Sequence, residues 1–200
     1  MIVLVRGQSV TSFPHWKRTC DLLMAGAGLA LAAIPIALIS AAILLDSGRP
    51  VFLRQKRIGA NRRGYLMWKF RTLPRDTPQM SKTELQSIGV RTTRLGRVLR
   101  RYSLDEIPQL LNVVAGDMTL VGPRPALYTQ EDLMALRAAA GILHARPGMT
   151  GLAQISGREE LTLAEKVALD VEYVRRMSLA FDASIALRTA RAVLQARGSF

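Results

Sequence analysis

Between Asp21 and Asp46 the chain runs for twenty-four residues, Leu22 to Leu45, without one charged side chain. As a straight helix at about 1.5 Å per residue this segment would be roughly 36 Å long, enough to cross a hydrocarbon core. Two features point instead to a turn inside the membrane. Pro35 lies near the centre, and basic residues flank both ends, with Lys17 and Arg18 before the segment and Arg49, Arg54, Lys56 and Arg57 after it. Positive charge on both sides places both ends in the cytoplasm, so Arg6 and Arg49 are expected on the same side of the bilayer. A helix broken at Pro35 can enter and leave one leaflet, with Ser40 or close neighbours satisfying the freed backbone groups. A plain span with a proline kink is the competing reading. A cleaved signal peptide fits less well, since its apolar region should be about half this length.

The formal net charge of +13 falls outside this segment, and a basic chain with an apolar stretch near its start suggests a membrane surface or a polyanionic ligand. Cys20 is the only cysteine, which excludes an intramolecular disulfide and a cysteine-based zinc site. His15 and His144 are too far apart in sequence to suggest a metal cluster.

The chemistry-bearing stretch lies farther on. Gln86 to Leu104 holds five arginines and no carboxylate, and the adjacent pair Asp105-Glu106 follows at once. Drawn as a helix, Arg91 to Tyr102 places Leu95, Val98, Leu99 and Tyr102 on one face and Arg94, Arg97, Arg100 and Arg101 on the other, so the basic face leads to the acids. Ser103-Leu104-Asp105-Glu106 fits an S-x-x-E capping box opening an amphipathic helix through Ile107, Leu110, Leu111 and Val114. It equally fits a carboxylate poised among arginines as a nucleophile toward phosphoryl groups, with its neighbour holding a metal ion.

Around that stretch the period of the sequence changes. Leu66, Trp68 and Phe70 alternate with Met67, Lys69 and Arg71, and Val51 to Arg54 can pair with them across a Gly59-Ala60-Asn61 turn, which predicts a basic β-hairpin. Pro74 to Gln86 reads as a surface loop. Gly122-Pro123-Arg124-Pro125 is a rigid loop able to aim one guanidinium at phosphate, though a tight connection with a solvated Arg124 fits as well. Glu131 to Ala140 is predicted helical and stopped by Gly141. The loop from Arg146 to Arg158 contains Gly148, Gly151 and Gly157 between two arginines, a composition suited to an anion cradle, but it lacks the Gly-Lys-Ser/Thr of a P-loop. Thr162-x-x-Glu165 caps a helix to about Met177, and a basic amphipathic helix is predicted from about Asp182 to Arg197. Both could lie on anionic lipid, or the last one could be a solvated surface helix.

Lys69-Phe70-Arg71-Thr72, Ser103-Leu104-Asp105-Glu106, Gly116-Asp117-Met118, Gly122-Pro123-Arg124-Pro125 and Arg146-Pro147-Gly148-Met149-Thr150-Gly151 follow one another behind the proline-broken segment. In that order they resemble the bacterial sugar transferases, the monotopic phosphoglycosyl transferases, from about Lys17 to Ala190. The resemblance implies a mainly helical α+β fold, one domain over residues 1–200. Residues 17–48 would form a re-entrant membrane helix-break-helix, and 49–200 a cytoplasmic catalytic part with a small β-hairpin and amphipathic helices at the membrane surface. It further implies an enzyme at the cytoplasmic face of the bacterial inner membrane that moves a sugar 1-phosphate from a UDP-sugar to polyprenol phosphate and releases UMP, beginning a surface glycan.

By the same resemblance Asp105 matches the residue that forms a covalent phosphosugar intermediate and Glu106 the one that supports Mg²⁺. Arg100, Arg124 and Arg158 are expected near the diphosphate, and Lys69, Arg71 and Arg146 join them as candidate substrate-binding residues. Leu152 stands where the family often has tryptophan, and Ile155-Ser156 where Val-Asn is common, so no sugar specificity is carried over from that loop. The larger members' additional membrane spans ahead of this core are not expected here. A homodimer is compatible with the sequence, and no nucleic-acid partner is expected. The alternative class is a membrane-anchored basic protein without catalysis, binding nucleic acid or scaffolding other glycan enzymes; zinc-finger spacing is missing, and aromatic residues interleave the basic ones only at Tyr65, Trp68 and Phe70.

Overall fold

The computed structural model describes residues 13–77, 87, 89, 91–157 and 160–195. Arg6, Arg158, Arg197 and most of the Pro74–Gln86 loop lie outside the described residues. The chain opens with α1 (His15–Ser47) and continues with β1 (Phe52–Ile58), a 3-10 turn (Ala60–Arg62) and β2 (Gly64–Phe70). Then follow α2 (Arg94–Arg101), a 3-10 segment (Leu104–Gln109), α3 (Leu110–Ala115), β3 (Thr119–Val121) and β4 (Ala126–Leu127). The last part comprises α4 (Glu131–Ala139), β5 (Gly148–Thr150), α5 (Leu152–Ser156), α6 (Leu163–Arg176) and α7 (Leu179–Leu194). Among the described residues the architecture is mainly helical with two small sheets, one ordered β2-β1-β4 and antiparallel, the other a parallel β3-β5 pair.

The expected break at Pro35 is not a break in secondary structure, because α1 is a single helix of 33 residues. Proline removes one ladder donor, yet helical backbone continues on both sides, and the Ser40 hydroxyl donates to the Ile36 carbonyl at 2.6 Å in the next turn. Along α1, Lys17, Asp21, Ala25 and Ile43 are buried. Gly28 faces Leu110, and Ile36 and Ile39 pack against the Ile43–Phe70–Leu99 core. The opposite face exposes Leu23, Leu31, Ile34, Leu38 and Leu45. A stripe recurring every three or four residues thus docks the helix on the body toward both of its ends and leaves an uncharged apolar face uncovered.

Lys17 and Arg18, the basic residues that flank the apolar segment, are both engaged. Lys17 is 2% exposed and donates to Asp182, which also accepts from the Tyr173 hydroxyl, while Arg18 donates to the carbonyls of Val113 and Val114 at the end of α3. A buried ammonium needs such a partner.

The hairpin forms as expected, with Phe52 opposite Phe70 and Ile58 opposite Gly64. Asn61 turns it in the left-handed region (φ 52°), which asparagine tolerates better than most residues. Burial does not follow the apolar alternation alone, because Phe70 is buried on one face and Met67 on the other. Leu53, Gln55 and Arg57 lie opposite Lys69, Met67 and Tyr65 on the inward face, while Leu66 is exposed. The inward face is polar at its ends because it builds the site.

The Glu131 helix stops before Gly141 (φ 71°), as predicted. Both halves of the Thr162/Glu165 capping box form, at 3.3 Å and 2.8 Å. The last helix starts earlier than predicted because Ser178 is its cap, accepting from the Phe181 N–H.

Candidate active site

Four consecutive residues at the end of β2 divide the work of assembling the site. Lys69, on the inward face, donates to Glu106 Oε1 at 2.7 Å. Phe70, on the other face, is buried with Ile43 of α1 and Leu99 of α2. Arg71, expected with the substrate, is buried and donates to the carbonyls of Ser47 and Gly48, both at 2.7 Å, and of Arg49 at 3.2 Å. It therefore closes the C-terminal end of α1, whose last carbonyls have no helical donors. Thr72 accepts from Arg100 Nε through its hydroxyl at 2.8 Å and from the Thr93 N–H through its carbonyl. Gly96 makes that contact with α2 feasible, since a Cβ there would overlap the Thr72 carbonyl.

The capping box expected at Ser103 does not form. Ser103 adopts the left-handed region (φ 54°) with no side-chain cap bond, the following residues form the 3-10 segment, and the Glu106 carboxylate reaches Lys69 instead of the Ser103 backbone. A non-glycine residue held at positive φ costs roughly 1–3 kcal/mol and is common beside functional groups.

Asp105 is 7% exposed, and burial pushes its carboxyl above the ordinary aspartate range. Lys69 and Arg100 oppose that rise, and the neighbouring Glu106 reinforces it. Burial also acts upward on Glu106, but Lys69, Arg124 and Arg57 outweigh it and hold that carboxyl below its ordinary value. The two adjacent acids are thus driven apart, Glu106 firmly ionised and Asp105 the harder one to charge. Arg100 is pulled down by burial against the pull of Asp105.

Arg124 is exposed between buried Pro123 and Pro125, and its positive charge, carried on a fixed backbone, helps hold the Glu106 carboxyl ionised. The loop read as an anion cradle supplies that fixity. Gly148 N–H donates to the Pro123 carbonyl and Gly122 N–H to the Thr150 carbonyl, each at 2.8 Å. A Cβ on Gly148 would overlap Gly122 N, one on Gly151 would overlap Gly122 O, and one on Gly122 would lie 2.6 Å from Arg146 O. These glycines let two backbones cross, and the Gly148 amide is spent on that crossing rather than offered to an anion. From the other side Arg137 donates to the Arg124 carbonyl at 2.9 Å while buried against Asp170 at 2.6 Å.

Arg146 lies apart from this group. Its guanidinium stacks over Phe13 at 4.3 Å, and burial and Arg18 lower its pKa against Asp21 and Asp117. Leu152, in place of the expected tryptophan, is a core residue packed with Val121, Tyr173 and Ile185. Sequence reasoning missed Arg57, which faces Glu106 and Arg124. It also missed Asn112, whose amide accepts from the Trp68 N–H at 2.9 Å and donates to the Leu66 carbonyl at 2.8 Å, pairing the free edge of β2 as a strand would. The signal for Arg57 was its placement opposite Tyr65 in a hairpin whose inward face also carries Lys69.

Among the described residues no group of three or more His, Cys, Asp or Glu could cage a metal ion. One ionised carboxylate with a second beside it suits Mg²⁺, which is commonly held by one or two carboxylates and completed by water and substrate phosphate.

The family model described as bacterial sugar transferase matches residues 12–196. The chain is 38% identical to the exopolysaccharide production protein ExoY of Rhizobium meliloti over 199 residues, covering 92% of this chain and 88% of that protein. It is 40% identical to the uncharacterized sugar transferase EpsL of Bacillus subtilis, covering 91% and 89%. With a UDP-glucose:undecaprenyl-phosphate glucose-1-phosphate transferase of Caulobacter vibrioides it shares 39% identity, over 89% and 69%. An acidic pair ringed by cations and a match along nearly the whole chain lead to one conclusion: the chain belongs to the bacterial sugar transferase family.

Proposed function

We propose that the protein transfers a sugar 1-phosphate from a UDP-sugar to polyprenol phosphate, releasing UMP, at the cytoplasmic face of the bacterial inner membrane. The observation that carries this reading is the buried Asp105 carboxylate beside an ionised Glu106, with Lys69, Arg100, Arg124 and Arg57 around them. Relatives named for undecaprenyl-phosphate transfer support it.

In the first step an Asp105 oxygen attacks the phosphorus that bears the sugar. The phosphoanhydride bond breaks, and its electron pair leaves with UMP. A phosphate oxygen of the polyprenol phosphate then attacks the same phosphorus, and the Asp105 carboxylate is regenerated. Lys69 and Arg100 favour the carboxylate form of the nucleophile, and Arg124 meets the phosphate oxygens with a planar fork of donors. Glu106 would hold Mg²⁺ together with substrate phosphate oxygens, and the ion when bound neutralises phosphate charge and lessens repulsion toward the incoming Asp105 carboxylate.

The docking of α1 supports a re-entrant placement. A helix crossing a bilayer carries about twenty residues through the hydrocarbon core and puts its two ends on opposite sides. Here contacts with the body recur from Lys17 at the start to Ser47 at the end. The exposed apolar face enters one leaflet while both ends stay with the cytoplasmic layer, bringing the site to headgroup depth.

Purified protein in detergent, given UDP-glucose and other UDP-sugars, is expected to release UMP and retain labelled sugar phosphate before any lipid is added. Asp105→Asn should abolish both events. UMP that forms only once polyprenol phosphate is present would establish direct attack by the lipid and refute the covalent step.

A further inference from the structure

Arg57 has no role in the steps above, yet its surroundings are those of a ligand-binding group. The register of β1 sets it opposite Tyr65 on the inward face shared with Lys69. Of its five N–H donors, one arm reaches the Pro125 carbonyl at 3.0 Å and one the Gln55 amide oxygen at 2.7 Å. Its Nε is buried without a hydrogen-bond partner. Both observed partners are neutral, and among the described residues no carboxylate forms an ion pair with it. Such an arginine contrasts with the buried cations Arg137 and Lys17, which sit on Asp170 and Asp182; Arg71 also has only neutral partners, but three of them are carbonyls at the end of α1, away from the acidic pair.

Charge counting sharpens the contrast. Lys69, Arg100, Arg124 and Arg57 surround only Asp105 and Glu106, and Lys69 already occupies one Glu106 oxygen. Two positive charges are left uncompensated, and two of the cations, Arg57 and Arg124, repel one another across the site. Like charges held together beside an unpaired donor form a site suited to an anionic ligand. The surplus matches a dianionic diphosphate.

We infer that Arg57 is a second phosphate-binding residue, which grips the diphosphate from the hairpin side while Arg124 grips it from the loop side. This rests on the transfer reaction proposed above and deepens it. The bond from Arg57 to the Pro125 carbonyl gives the two guanidiniums a shared scaffold, so that they close on the ligand as a pair.

The test uses the full chain in detergent and measures binding of UDP, UMP and uridine by calorimetry, together with KM and kcat for the UDP-sugar that wild type turns over. Arg57→Gln keeps a donor for the Pro125 carbonyl, and Arg57→Lys keeps the charge. Arg57→Gln is expected to weaken UDP and raise KM by roughly 10- to 100-fold, the range for a lost charge-assisted hydrogen bond, with uridine affinity changed less than about 3-fold. Arg57→Lys should recover only part of the loss, since it restores charge without the fork. Equal losses for UDP and uridine would make Arg57 a purely structural residue and overturn the inference, as would unchanged UDP affinity in Arg57→Gln. Wild type that binds UDP but releases no UMP from any UDP-sugar would refute the transfer reaction while leaving the Arg57 measurement intact.

Discussion

The buried pair Arg137–Asp170 offers a quantitative test of how the site is held. Asp170 Oδ2 accepts from Arg137 Nε at 3.0 Å and from Nη2 at 2.6 Å, and the same Nη2 donates to the Arg124 carbonyl at 2.9 Å. Both side chains are almost fully buried, 8% and 3% exposed. Asp170→Ala therefore strands a guanidinium in the interior, which typically costs about 3–5 kcal/mol. At about 2–4 °C per kcal/mol for a chain of this size, the unfolding midpoint should fall by roughly 6–20 °C, read by far-UV circular dichroism in detergent. Arg137→Leu combined with Asp170→Leu removes both charges and should recover most of that stability. It leaves the Arg124 carbonyl without its donor, so turnover is expected to stay roughly 10- to 100-fold low in the double variant, as for a positioning group displaced by a fraction of its contact distance. If Asp170→Ala costs less than about 1 kcal/mol, or the stable double variant has wild-type kcat, the pair does not hold the Arg124 loop.

Four further outcomes are expected. Because burial raises the Asp105 carboxyl, kcat/KM should fall on the acid side at a pH above the usual aspartate range, and Lys69→Met, which removes an opposing cation, should move that limb to higher pH; an unmoved limb in a pH–rate profile would exclude Asp105 as the titrating group. The raised folded-state pKa also means that the native state holds the proton longer than the unfolded chain does, so stability is lost as pH rises through the interval between the two, and Asp105→Asn should unfold at a midpoint equal to or above wild type at neutral pH even as transfer is abolished; a lower midpoint would contradict this. Excess EDTA should stop UMP release and Mg²⁺ restore it, while full turnover in EDTA would exclude a metal. Gly148→Ala, whose Cβ would overlap Gly122 N, should cost about 1–3 kcal/mol or more and lower kcat, whereas wild-type stability in thermal unfolding would show that the loop crossing can relax.

Two stretches with the same S/T-x-x-E pattern show where sequence reading succeeds and where it fails. Thr162 and Glu165 close a capping box as the pattern demands, because Glu165 is exposed and no other partner claims it. Ser103 and Glu106 do not, because Lys69, thirty-seven residues earlier, draws off the carboxylate, and the chain turns into the 3-10 segment. The hairpin and the helix before Gly141 were legible because turn residues and periodicity act within a few positions. The acidic pair was legible because it interrupts a basic run. The inward turn of Arg57, the burial of Lys17 and the use of Gly148 for clearance depend on segments distant in the chain, and local pattern carries no record of such contacts. Asn112 belongs with them, since nothing in its neighbourhood of sequence shows that it pairs a strand edge forty-four residues away.

The order Lys69-Phe70-Arg71-Thr72 acquires a physical meaning from these distances. Strand alternation sends Lys69 toward the acids and Phe70 to the opposite face, and beyond the strand Arg71 turns to the end of α1 while Thr72 holds Arg100. One short backbone segment therefore contacts α1, the two cations beside the acidic pair and the core at once. Any displacement of the C-terminal end of α1 pulls on Arg71, two residues from the ammonium that charges Glu106 and one from the hydroxyl that orients Arg100. The same displacement at the N-terminal end is resisted by Lys17 on Asp182 and by Asp21, which accepts from the Thr119 hydroxyl at 2.6 Å and the Leu120 N–H at 3.1 Å just ahead of the Arg124 loop. Both halves of the cation set are thus braced by the helix whose other face is apolar and uncovered, so the geometry around Asp105 is set by how that helix is seated. For the reaction proposed above, which joins a water-soluble donor to a lipid phosphate, this coupling makes the seating of α1 part of the construction of the active site.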